Sequence, residues 1–517
     1  MVRRRDRPGT GPGLTRREAF ALGGAGALAA GLAACGDDDE PDVSRAEDPP
    51  NVLLIVTDST RADYLGAYNR NAPAPTPNLD ALARQSLRFT HAVPEAMPTG
   101  MVRRALLTGM RAFPLRDWVR TEGLPPTPGW TGIQPNQPML TKVLSAAGVT
   151  TGYATDNPFL VGPVYEEFRR TLDLSVADLS QASYRDYNVP FTRPAPRSAI
   201  ERYLLPELSD TIEVQRLRSY VGWNSLYRTS TRRYSAARVM SGGMRMLEQL
   251  RDRQPFFLGV DAFDPHEPFD PPETDYERLF GSERRGLQKD GIQPIQPFNT
   301  PASYASKLGL DEETIQVVRQ LYAGELAFAD AWIGRLLQRL DELGLAENTV
   351  VIYLSDHGVM LGEHDIVGKA AADPYREIYH VPYFIRDPSG RRAGDTSDYF
   401  ASTHDVARTV LSMMGIRAPG AMDGEDLSVL LDGGTPPPRP VFTSCYQDTY
   451  LAGDERWVLI APESGKIQRL YDNETDPGQL HDVADRHPEK REELWQELTD
   501  AAGGTLPVFG LAEVVGG

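Results

Sequence analysis

"NVLLIVTDS", Asn51–Ser59, decides the fold. Val52–Val56 is a continuous apolar run bounded by polar residues. Such a run fits a strand buried on both faces, as in a parallel sheet. The strand ends in an acid, Asp58. The pattern returns in "NTVVIYLSDHG", where Val350–Leu354 runs into Asp356 and His357. It returns again in "QPFFLGVDAFDPHEP", where Phe256–Val260 runs into Asp261, Asp264 and His266. "GVTTGYATDNP" reads as a fourth strand, ending at Asp156 and Asn157.

Helical patterns lie between these strands. "TPNLDALARQS" places Thr76 at an N-cap and Pro77 at the first helical position. "IQPNQPMLTKVLSAAG" and "YAGELAFADAWIGRLLQRLDELG" carry apolar residues at a spacing near 3.6, each closed by Gly. Strands alternating with helices predict an α/β protein with a doubly wound, mostly parallel sheet, whose ligands bind beyond the carboxyl ends of the strands. From about Pro440 the pattern changes. "PVFTSC", "TYLAGD", "RWVLIAP" and "QRLYDN" read as short strands, and "PEKREELWQELTDAA" as a helix started by Pro488. They predict a small antiparallel sheet with one helix. Residues 281–305, rich in Gln, Pro and Ser, read as an insertion or long loop.

The 517-residue chain is 40% hydrophobic and 24% charged, the balance of a globular protein. Its net charge of −18 argues against a nucleic-acid partner, because phosphate backbones are held mainly by Lys and Arg. A small anionic substrate stays compatible, held by a local positive pocket.

The N-terminus reads as a targeting segment. Arg3, Arg4, Arg5, Arg7, Arg16 and Arg17 precede Ala19–Ala34, an apolar run of Ala, Gly and Leu too short for a membrane span. Arg16-Arg17 resembles a twin-arginine export signal, and "LAAC", Leu32–Cys35, resembles a lipobox. The expectation is a signal peptide over 1–35 and a lipidated Cys35, giving an exported protein anchored outside the cytoplasmic membrane. A plain membrane anchor is the simpler alternative. Residues 36–50, acidic and Pro-containing, read as a flexible tether. The other cysteine, Cys445, is then a lone thiol, expected to be packed rather than reactive.

"PTGMVRRALLTG", Pro98–Gly109, poses the chemical question. Locally, Thr99 reads as an N-cap, for which threonine is well suited. Asp58 and Asp356 could likewise cap following helices. Together, however, Asp58, Asp356 and His357 come from two distant strands and suit a hard metal.

In order along the chain, these pieces resemble the sulfatase family of the alkaline phosphatase superfamily. "NVLLIVTDSTRADYLGAY" resembles its first metal-binding strand, "TGMVRRALLTG" falls at its nucleophile motif, and "DPHEPFDPP" is similar to its Pro-His-x-Pro loop. "YLSDHGVMLGEHDIVGK" resembles its second metal strand and lysine loop. "LYDNETDPGQLHDVA" resembles its C-terminal subdomain. The resemblance implies an alkaline-phosphatase-like catalytic domain over 51–435 and a C-terminal subdomain over 436–517. It implies Asp58, Asp356 and His357 as metal ligands and Arg103 as the arginine beside the nucleophile. It further implies His266 near the leaving group and Lys369 on the substrate's anionic oxygens. His364 and His404 lie in family motifs and read as structural.

The chain departs from the family at the nucleophile. Where sulfatases carry the Cys or Ser that becomes formylglycine, this sequence has Thr99, and Met101 replaces the motif proline. Threonine cannot give the aldehyde, so no formylglycine is expected. Ser59 follows Asp58 in place of a second aspartate, and "TDNP" stands near the place of the family's Lys-x-His. What remains resembles the ligand set of Thr-nucleophile phosphotransferases in the superfamily: Asp58, Thr99, Asp356 and His357 around one divalent cation, Ca, Mg, Mn or Zn. The expected function is a metal-dependent hydrolase of sulfate or phosphate esters that uses Thr99. The alternatives are an envelope phosphotransferase acting on a glycan or lipid, akin to lipoteichoic acid synthase and phosphoethanolamine transferases, and a catalytically silent binding lipoprotein.

Overall fold

A computed structural model describes residues 47–113, 130–180, 194–200, 212–281, 305–306, 309–369, 373–462 and 465–506. The leader with Cys35, most of the tether, and nearly all of the expected 281–305 insertion lie outside the described residues. No helix among those described is long and apolar enough to cross a membrane.

The main sheet has eight strands: β1 (Asn51–Thr57), β2 (Leu87–Phe89), β3 (Thr150–Thr155), β4 (Leu174–Ala177), β5 (Phe256–Ala262), β6 (Thr349–Ser355), β9 (Tyr383–Arg386) and β10 (Thr396–Ser397). A two-stranded ribbon, β7 (Met360–Leu361) and β8 (Val367–Gly368), lies between β6 and β9 in sequence. The main-sheet order is β10-β2-β9-β6-β1-β5-β3-β4. The pairs among β6, β1, β5, β3 and β4 are all parallel. β9 runs antiparallel to both its neighbours. The doubly wound, mostly parallel sheet expected from the apolar runs is therefore present.

The runs are unbroken because both faces of the sheet are covered. Val52–Val56 is wholly buried. Val52, Leu54 and Val56 pack into one hydrophobic layer, with Met101, Leu106 and Leu107 of the Thr99–Thr108 helix and Val406 and Val410 of the Asp405–Met413 helix. Leu53 and Ile55 point the other way. They join Leu79 of the Pro77–Arg84 helix, Leu247 of the Ser235–Leu250 helix and Leu326 of the Glu312–Glu342 helix. A period-2 strand between two helical layers needs apolar residues at every position. Each such side chain contributes about 1.5–3 kcal/mol by burial.

The C-terminal strands are where the turn signals put them: β11 (Phe442–Tyr446), β12 (Thr449–Gly453), β13 (Trp457–Pro462) and β14 (Arg469–Asp472), all antiparallel. The Pro488–Ala501 helix buries Leu494 and Leu498 with Tyr450 and Leu459 of this sheet. The strands also contribute Phe442, Tyr446 and Leu451 to a cluster that contains Met97 and Val102. β11 holds the chain just before Thr99: the amide of Met97 donates to Cys445 O at 2.7 Å, and that of Gln447 to Met97 O at 3.1 Å. The second sheet thus fixes the entry to the Thr99 helix. Cys445 is buried and unpaired with another cysteine, and burial pushes its thiol up, so it is inert as expected.

Candidate active site

Strand register assembles the site. Thr57 pairs with Ser355 on one side and Ala262 on the other, and Thr155 pairs with Asp261. The next residues, Asp58 and Asp356, therefore leave adjacent parallel strands at the same edge, about one strand spacing of ~4.8 Å apart. Asp261 comes from β5 on the other side of β1. Three acids about a hundred or more residues apart in sequence become neighbours through pairing alone.

Asp58, Asp356 and His357 are fully buried, and each offers a ligand atom within 4.8 Å of the others. The His357 Nδ1 faces the Gly358 carbonyl at 2.9 Å. A carbonyl only accepts, so Nδ1 carries the proton and Nε2 keeps its lone pair. That Nε2 lies 3.1 Å from Thr99 Oγ1, 3.6 Å from Asp356 Oδ2 and 3.9 Å from Asp58 Oδ1. Asp356 Oδ1 accepts from the amides of Ser59, at 2.8 Å, and His357, at 2.7 Å. The Ser59 hydroxyl donates to Asp58 Oδ1 at 2.7 Å. Ser59 thus braces both carboxylates. Neither acid caps a helix.

Thr99 is not a cap either. The N-cap is Pro98, Thr99 is the first residue of the helix, and no side chain caps that end. Thr99 is 2% exposed, and its hydroxyl turns to His357. The free amides and dipole of the helix start face the same region and favour an anion there.

Arg103, one turn on, points inward. Its Nε and Nη2 grip Asp261 at 3.1 and 2.8 Å, and its Nη1 reaches Asp58 at 3.2 Å and also Asp356. Every donor atom of its guanidinium is committed to carboxylates. Tyr153 donates to Asp261 at 3.2 Å. Burial works against the Arg103 charge, but Asp261, Asp356 and Asp58 outweigh it and hold the guanidinium ionised.

His266 and Lys369 meet at Glu267. Lys369 Nζ bonds Glu267 Oε2 at 2.9 Å, and His266 Nδ1 is 3.6 Å from the same oxygen. The His266 ring stacks on Phe263. Burial pushes its pKa down to about 4, and that of His357 to about 3, so both imidazoles are neutral near pH 7. Burial also penalises ionised Asp58, yet His266, Arg103, His357 and Lys369 together pull it far below the carboxylate range. Asp356 is pushed up, first by burial and also by the Asp58 charge.

The remaining motif histidines pack structurally. His364 stacks flat on Tyr375 with ring centroids 3.6 Å apart, and His404 lies buried beside Asp405. Two site residues stayed outside the sequence assignment. Asp261 was visible as a strand-end acid, but nothing in the sequence tied it to Arg103. Glu267 drew no assignment from the sequence.

Gly358 shows how tightly the site is built. An added Cβ would stand 1.8 Å from the Glu377 carbonyl oxygen. Gly358→Ala must therefore push the Asp356-His357 turn away from the Ile378 carbonyl that Gly358 N now bonds at 2.8 Å. The expected loss is about 2 kcal/mol or more, as for overpacked cores, read from urea unfolding. An unchanged midpoint would show the turn to be loosely held.

An α/β sheet with acids and a histidine at the carboxyl ends of β1 and β6, facing a threonine at a helix start, has the alkaline-phosphatase-like architecture. The sulfatase model matches residues 50–416, and the chain belongs to the sulfatase family. It is similar to the multifunctional alkaline phosphatase superfamily protein PehA of Trinickia caryophylli, with 28% identity over 431 residues, covering 75% of this chain and 78% of that protein. It is also similar to an ulvan-active sulfatase of Formosa agariphila, with 26% identity over 404 residues, covering 76% and 68%. Among solved structures, the phosphonate monoester hydrolase of Agrobacterium radiobacter shares the fold at a TM-score of 0.63 and 22% identity, covering 88% of this chain and 95% of that one. The protein is an ester hydrolase of that family.

Proposed function

We propose that the chain hydrolyses sulfate or phosphate esters with one divalent cation and Thr99 as the nucleophile. The observation that carries this reading is the Thr99 hydroxyl, buried at a helix start and 3.1 Å from His357 within the Asp58/Asp356/His357 cluster. The residues fit a cation. Two carboxylates and one imidazole nitrogen converge, and the carboxylates already share a cationic partner in Arg103. Asp58, Asp356, His357 and Thr99 would hold the ion. Such oxygen and nitrogen donors suit Ca, Mg, Mn or Zn. When bound, the ion supplies Lewis-acid polarisation of the ester oxygen.

The chain's own residues set the rest. Thr99 Oγ forms a bond to sulfur or phosphorus as its proton passes to the departing ester oxygen, whose bond to that atom breaks. The helix start stabilises the anionic oxygens. His266, neutral at pH 7, accepts a proton from the water that then cleaves the Thr99 ester and returns it to the Thr99 oxygen, regenerating the hydroxyl. Relatives described as multifunctional and as ulvan-active support both ester classes and a glycan substrate. The leader ending at Cys35 adds export and lipid anchoring to this reading, on sequence alone.

Acid quenching during turnover of an aryl sulfate and an aryl phosphate is expected to trap a sulfated or phosphorylated peptide that contains Thr99. Prior chelation should abolish it, and an added divalent cation should restore it. Turnover without a modified Thr99 peptide, or unaffected by chelation, rules the mechanism out.

A further inference from the structure

We propose that Glu267 sets the charge the site accepts. By neutralising Lys369, it tunes the pocket to esters whose transferred group carries one negative charge (sulfate monoesters, phosphodiesters, phosphonate monoesters) and against dianionic phosphate monoesters. This deepens the hydrolase reading above and rests on it.

The side-chain cations acting on Asp58, apart from the two imidazoles, are Arg103 and Lys369. Arg103 is spent on Asp261, Asp58 and Asp356. Lys369 is bonded to Glu267 at 2.9 Å, with the two side chains only 8% and 4% exposed. Four carboxylates, Asp58, Asp261, Asp356 and Glu267, face these two cations, and one divalent ion brings the set to neutrality. A monoanionic group then adds one unit of charge and a dianionic group adds two. In a buried site each uncompensated charge is costly.

Two uncharged donors lie near the start of the Thr99 helix and the end of β3. Asn157 Nδ2 and Trp130 Nε1 are buried with no hydrogen-bond partner. Trp130 covers Gly100, where an added Cβ would stand 2.6 Å from its ring, so it borders the first turn of the Thr99 helix. Asn157 follows β3, whose last residue pairs with Asp261, and its Oδ1 accepts from the amide of Phe159, which packs on Trp130. Neutral donors bind an anion without cancelling its charge, which favours the lower charge.

The test uses the full chain loaded with a divalent cation and three substrates with one aryl leaving group: sulfate, phosphodiester and phosphate monoester. In Glu267→Gln, kcat/KM for the phosphate monoester relative to the sulfate should rise about tenfold or more, while Glu267→Asp keeps the wild-type ratio. A second arm needs only the wild type. A phosphate monoester loses its second proton near pH 6, so its kcat/KM relative to the sulfate should fall about tenfold per pH unit above that point. A wild-type ratio that stays flat from about pH 6 to 8 overturns the inference, as does an unchanged ratio in folded Glu267→Gln. Hydrolysis of none of the three overturns this inference and the hydrolase reading together. Should Glu267→Gln not fold, the pH arm decides alone.

Discussion

Thr99→Val is expected to lower kcat/KM by about 10³-fold or more while the chain still folds. Valine keeps the shape and branching of threonine and removes only the hydroxyl. The helix start does not depend on that hydroxyl, because Pro98 is the N-cap and no side chain bonds there. The structural cost is the hydrogen bond to His357 Nε2, about 1–3 kcal/mol for leaving a buried acceptor without its donor. A capping threonine would lose a similar amount of stability, about 1 kcal/mol, but little activity, so the rate tells the two apart. Thr99→Ser, which restores a hydroxyl, should recover a large part of the rate. Activity within tenfold of wild type in Thr99→Val would end the nucleophile assignment.

The strands and their acids were legible because the signal is local. A five-residue apolar run that ends in Asp needs no partner to be recognised, and β1, β5 and β6 begin within a residue of where the apolar runs begin. The four C-terminal strands were equally visible, since turns bound each of them. The Glu312–Glu342 helix was read short at its N-terminus, where charged and polar residues dilute the apolar period before Tyr322. The candidate metal cluster was legible as acids ending two strands, and the family pattern sharpened it. Spacing along the chain does not bring Asp58 to Asp356; parallel register does.

What stayed hidden depends on side-chain direction. The resemblance implied Arg103 as the arginine beside the nucleophile and said nothing of where its guanidinium points. The fold turns it toward Asp261, an acid from the neighbouring strand. Lys369 was assigned to the substrate, and its pairing with Glu267 across 102 residues had no sequence signal. Ion pairs that close across loops are invisible to periodicity, and here such pairs set the charge of the site.

Arg103→Met should therefore be the most destabilising single change at the site. Methionine fills comparable volume but leaves Asp58, Asp261 and Asp356 buried without their common cation. Removing one partner of a buried ion pair costs about 3–5 kcal/mol, and three carboxylates lean on this one. The loss should depend on pH in a direction that identifies its cause. Without the guanidinium, the native-state carboxyl pKa values rise above their unfolded values near 4. The folded variant then binds more protons than the unfolded chain. Its stability should increase as pH falls from about 7 toward 5, by up to ~1.4 kcal/mol per pH unit for each group that takes up a proton. A divalent cation should restore part of it by binding between Asp58 and Asp356. Arg103→Lys should rescue poorly, since an ammonium cannot hold Asp261 with two parallel bonds while reaching the other two acids. Urea unfolding of wild type and variant across that pH range is the measurement. If the variant has the wild-type midpoint, or loses stability on acidification, these carboxylates do not depend on Arg103 for their charge balance.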